Sequence, residues 1–80
     1  MFDVPQLYDE PIRAEITPAG TPAAFHWRGG RMHVRSVLAV WQAPGEGRLY
    51  RVGVTTAGGE PGVAEIAGGT DGWRLRHLWT

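Results

Sequence analysis

The chain has no cysteine, no lysine and no asparagine, and Ser36 is its sole serine. Without cysteine there is no disulfide framework and no thiolate metal site. Ser36 sits inside an apolar run and outside any Gly-x-Ser-x-Gly turn, so serine-nucleophile chemistry has no foothold. No run of about 18 apolar residues occurs, so no membrane-spanning helix is expected. The opening residues Met1-Phe2-Asp3-Val4-Pro5 show no basic stretch leading into an apolar core. No secretory signal is therefore expected, and a cytoplasmic location is the default expectation.

The net charge is also nil, but the charges are segregated. Residues 26–51 carry Arg28, Arg31, Arg35, Arg48 and Arg51 against Glu46 alone, a local charge of +4, while the rest of the chain carries −4. All eight basic residues are arginine. Together with abundant Ala, Gly, Pro and Val this matches a GC-rich coding bias, which weakens any argument that arginine was chosen for phosphate chemistry.

The 80 residues make one domain. A chain of this size buries only about 60% of its unfolded surface, so its core is thin. Four Trp, two Phe and two Tyr supply the large apolar areas such a core needs.

The densest local signal is Phe25-His26-Trp27-Arg28-Gly29-Gly30-Arg31-Met32-His33-Val34-Arg35. Apolar and basic residues alternate on both sides of a Gly-Gly pair, which predicts a β-hairpin with one apolar and one cationic face. With Gly29-Gly30 as the turn, Trp27 is expected opposite Met32, His26 opposite His33 and Phe25 opposite Val34. Phe25, Trp27, Met32 and Val34 then share one face, and His26, Arg28, Arg31, His33 and Arg35 the other. Further on, Val37-Leu38-Ala39-Val40-Trp41 is apolar on both faces, as expected of a strand covered on both sides or bent by a bulge.

Residues 1–11, with Pro5 and Pro11, read as an N-terminal arm, and residues 12–80 as a single β domain. Strands are predicted at 12–16, 24–28, 31–41, 48–56, 63–67 and 73–79, separated by Gly- and Pro-rich turns. The connections are too short for parallel crossovers. The expected fold is all-β: an antiparallel meander of five to six strands rolled into an SH3-like, partly open barrel.

The run Phe25-x-Trp27-Arg28-Gly29-x-Arg31-x-x-Val34-x-x-Val37-Leu38-x-x-Trp41 resembles an uncharacterised family of small bacterial domains of unknown function. Tyr8-Asp9-Glu10-Pro11-Ile12, Tyr50-Arg51-Val52, Glu65-Ile66 and Gly72-Trp73-Arg74-Leu75 are similar to the rest of that pattern, so the resemblance spans nearly the whole chain. Related segments are expected at the C-termini of proteins resembling Y-family DNA polymerases, which implies a role near DNA repair or replication machinery. The chain departs from the pattern at Gly30, where a second Arg is common, at Met32, where Tyr is common, and at His33, where a basic residue is common. These departures weaken a nucleic-acid reading.

Two surfaces are candidates for function. His26, Arg28, Arg31, His33 and Arg35 form a face on which phosphate could be neutralised. The aromatics that would stack bases lie on the opposite face of the same hairpin, however, where the core claims them. Trp41 and Trp79 each end an apolar strand and, with Tyr8, offer a protein-binding patch, although so small a core has its own claim on them. A histidine pair facing across the hairpin is expected to destabilise the fold as pH falls below about 6.5. Metal binding is not expected: His77, Glu65 and Asp71 are the only further ligands, none at motif spacing, and the neighbouring arginines repel a cation. Gly58-Gly59 and Gly68-Gly69 lack the following Lys-Ser/Thr and helix of a phosphate loop and read as hairpin turns. The expectation is a non-catalytic interaction module with no cofactor and no membrane contact, either monomeric or a weak homodimer. Its partner is expected to be a protein, with nucleic acid as the alternative.

Overall fold

A computed structural model describes residues 6–45, 47–69 and 72–80. It is all-β: six antiparallel strands, β1 (Gln6–Ile16), β2 (Pro22–Trp27), β3 (Gly30–Ala43), β4 (Gly47–Thr55), β5 (Pro61–Gly69) and β6 (Gly72–Trp79). Each strand pairs with the next, and β1 pairs with β6, closing a small barrel consistent with an SH3-like barrel. The ring of strands closes, as expected of a rolled sheet, with part of one β3 edge left unpaired.

Closure depends on β1 serving two neighbours in succession. Gln6 to Ile12 pair with β6, and Arg13 to Ile16 pair with β2. Residues 6–11, read from the sequence as part of an arm, are therefore the half of β1 that seals the barrel. Residues 1–5 of that arm lie outside the described residues.

The core follows the alternation of the strands. Phe25, Val52, Val54, Ile66 and Leu75 are the largest fully buried side chains. Tyr8, Trp27, Val34 and Trp73 pack against this cluster while keeping part of their surface in solvent. Trp73 lies flat on Gly68 of the neighbouring strand: a Cβ at position 68 would come within 2.6 Å of the indole. Glycine is required there because the ring occupies the place of its side chain.

The β2–β3 turn is made by Arg28-Gly29, not Gly29-Gly30. Arg28 has φ 49° and Gly29 φ 77°, two left-handed residues of the kind a two-residue hairpin needs. Phe25 therefore pairs with Met32, His26 with Arg31 and Ala24 with His33. The shift moves every partner by two positions, so each side chain keeps its face. That is why alternation alone could not choose between the two turns.

Three β-bulges set which residues point outward further along. On β3 the register slips between Val34 and Ser36 and again between Val37 and Ala39. On β6, Glu65 of β5 faces His77 while the next residue, Ile66, faces Leu75. Arg76 is thus the additional residue, so Leu78 turns inward, 7% exposed, and His77 and Trp79 turn outward.

Candidate interaction surface

The cationic hairpin face is already matched by carboxylates from β1. Glu15 accepts hydrogen bonds from Arg31 Nε at 2.8 Å and Nη2 at 3.0 Å, and its Oε2 lies 2.8 Å from His26 Nε2. Glu10 accepts from Arg28 Nη2 at 2.7 Å and from Trp27 Nε1 at 2.9 Å. The Arg28 guanidinium also stacks 4.6 Å from the Trp27 ring and 5.2 Å from Tyr8, and these two rings meet edge to face at 5.0 Å. A non-glycine residue in left-handed conformation costs about 1–2 kcal/mol, and this network offsets that cost at Arg28. The Trp27-Arg28-Gly29 motif accordingly serves to fasten the β2–β3 turn to β1. Three of the five central arginines, Arg28, Arg31 and Arg51, are thus paired with carboxylates of the acidic flanks.

These pairs have an acid signature. Arg31 first, and His26 second, hold the Glu15 carboxyl down at about 2 from its ordinary 4.5. Arg28 and Trp27 lower Glu10, and Arg74 lowers Asp9. A depressed folded-state value means stability present at pH above 4.5 and lost as pH falls toward 2. The stability difference between wild type and Glu15→Gln is therefore expected to be flat above that window and to shrink across it in urea titrations at stepped pH. A difference that stays constant down to pH 2 would contradict the pairing. The histidine-pair effect expected from sequence is not supported by the register: His26 faces Arg31 and Arg13, and His33 faces Ala24 and Thr55. No three of His, Asp and Glu converge on a metal-sized site among the described residues.

Of the five residues proposed for anion contact, His26 and Arg31 meet at Glu15 and Arg28 is paired with Glu10. His33 is exposed, and Arg35 stands at the first β3 bulge. There Arg35 borders a shallow outer groove of about 440 Å3 that also includes Ser36, Gly53, Gly62 and Trp79.

The second candidate patch is divided. Tyr8 belongs to the Arg28 network on the β1 side. Trp41 and Trp79 are brought together, because both flank Arg51: its guanidinium lies 5.6 Å from the Trp41 ring and 5.9 Å from the Trp79 ring. Arg51 donates two hydrogen bonds, of 2.8 and 2.6 Å, to Glu65 Oε2. The other oxygen of Glu65 lies 2.9 Å from His77 Nδ1, and the His77 ring stacks on Trp79. Glu65 is 7% exposed, a carboxylate roofed over on the outside of the barrel. Sequence reading missed this cluster because it depends on the β6 bulge that turns His77 and Trp79 outward.

The largest apolar exposure lies along β3. Val37 is 40% exposed, Leu38 54%, Val40 47% and Trp41 37%. Of these, Val37 and Val40 pair with the buried Val52 and Tyr50, so they belong to the core face. They stay exposed because β2 pairs with β3 only as far as His33, and among the described residues β3 touches no strand but β2 and β4. From Val34 to Ala43 one edge of β3 is thus open. The chain matches no family model, no curated protein and no solved structure.

Proposed function

We propose that this domain is a cytoplasmic, non-catalytic protein-interaction module, docking through the open β3 edge and Trp41. The observation that carries this reading is an apolar run left in solvent on a strand with one unpaired edge, in a barrel whose other large apolar side chains are mostly inside. Exposed apolar strand edges are costly for a protein to keep and are otherwise guarded by charge or proline. Its setting beside DNA repair or replication machinery rests on the sequence resemblance alone. The groove at Arg35 brings no carboxylate or histidine to its lining, which offers no acid–base pair for catalysis.

Direct nucleic-acid binding through the hairpin face is the alternative. The pairing of Arg28 and Arg31 with Glu10 and Glu15 counts against it, since each phosphate contact would first have to break an internal ion pair.

A photoreactive side chain at Leu38 tests the two readings in cells, with one at the exposed Glu60 of the opposite turn as control. The expected product is a discrete protein adduct from position 38 only, resistant to nuclease and to moderate salt. A nuclease-sensitive, salt-labile product would replace this reading with the alternative, and equal labelling from both positions would remove the β3 edge from consideration.

A further inference from the structure

Resting on the docking reading above, we infer that the open edge of β3 takes up an extended acidic–apolar segment of another protein as an added strand. Strand addition needs unpaired backbone groups along an edge and alternating pockets for side chains. The edge from Val34 to Ala43 supplies the first, because β3 has no neighbour there among the described residues. Val37, Leu38, Val40 and Trp41 supply the apolar contacts. Beyond the second bulge, Ala39 to Ala43 pair with β4 in unbroken register, which leaves the outer side of that segment regular enough to accept a ladder.

The charge of the segment follows from what the fold leaves unmatched. Arg28, Arg31, Arg51 and Arg74 each hold a carboxylate. Arg35 and Arg48 are exposed and make no ion pair among the described residues. They bracket the apolar run: Arg35 stands on β3 before it, and Arg48 faces Gln42 after it. Between them residues 36–43 carry no charge and no proline. At about 3.3 Å per residue the two cations stand roughly 20 Å apart along the strand. The complementary ligand is therefore an apolar strand of about seven to nine residues with carboxylates at both ends. A second copy of this chain fits less well. It brings its own Arg35 to the shared edge, with Arg48 one strand behind on β4, and no carboxylate among the described residues.

Two synthetic peptides of about nine residues test this, both alternating valine and threonine, one with aspartate at each end and one with lysine. Titrated into the labelled domain at low salt, the aspartate-ended peptide is expected to shift the amides of residues 35–43. It is expected to bind at least tenfold tighter than the lysine-ended one, a margin that narrows as salt is raised. The double variant Arg35→Glu, Arg48→Glu alters only exposed side chains and is expected to reverse the order of preference. Equal affinity for both peptides, unchanged by the double variant, would overturn the charge assignment and leave the docking edge standing. Failure of both peptides to shift residues 35–43 would overturn the edge as a docking site as well. Concentration-dependent dimerisation that shifts the same amides without peptide would assign the edge to a second copy and overturn the inference.

Discussion

Replacing Phe25 with alanine is expected to remove about 4 kcal/mol of folding stability, between a third and all of what a chain of this length has. Phe25 is fully buried and is the largest side chain that is so. Truncation of a buried phenylalanine costs about 3–5 kcal/mol in lost transfer energy and residual cavity. At about 0.05–0.15 kcal/mol per residue, a chain of this length has a total of about 4–12 kcal/mol. The site has little room to relax, because β2 is paired on both sides, Phe25 lying between Ala14 of β1 and Met32 of β3. A fall in melting temperature of roughly 20 °C is expected, at about 4–8 °C per kcal/mol for domains of this size. Phe25→Leu, which keeps most of the volume, should lose less than half as much. Urea unfolding followed by tryptophan fluorescence measures both, and a Phe25→Ala midpoint within error of wild type would refute the placement of the core.

The second large effect is expected on the outside of the barrel. Arg51→Ala should cost about 3 kcal/mol, because it leaves the Glu65 carboxylate roofed over and without its main donor. Exposure of the partners makes the effect asymmetric: the Arg51 side chain is 47% exposed and that of Glu65 9%. Glu65→Gln should therefore cost less, since Arg51 can turn to water. The stacking of Arg51 with Trp41 and Trp79 is lost as well, at about 0.5–1 kcal/mol for exposed geometry. Replacing both charges together, Arg51→Met with Glu65→Leu, should recover most of the loss, as replacement of buried pairs by apolar residues commonly does. Thermal melts of the wild type and the three variants test this order. A single Arg51→Ala cost below about 1 kcal/mol would show that water, not Arg51, satisfies Glu65.

How much of this was legible can be read from particular residues. The six strands followed from alternation and from turn dipeptides, because period two and left-handed glycines are local properties. The placement of turn residues at Arg28-Gly29 was not legible, since moving the turn by one position preserves every face. The bulges left a trace that is clear only with the structure in view. Val34, Val37 and Val40 turn inward at intervals of three, as do Leu75 and Leu78, where a regular strand repeats every two. The neutralisation of the cationic face was hidden for a different reason. Glu10 and Glu15 reach Arg28 and Arg31 from another strand, and only the β1–β2 register brings them there. Exposure of the β3 run was equally non-local, since it depends on where β2 stops.

The ladder between β1 and β6 also bears on the order of assembly. Five of the six pairings join consecutive strands through short turns, so each can form as a hairpin on its own. The sixth joins opposite ends of the chain, Gln6 beside Leu78 and Asp9 beside Arg74. Bringing distant segments together costs loop-closure entropy that is repaid only when the contact is made, and such contacts slow folding. The barrel is thus a zipper of hairpins with one late seam. A rearranged chain that linked β6 directly to β1 and was opened instead at the β4–β5 turn would make that seam the first contact to form rather than the last.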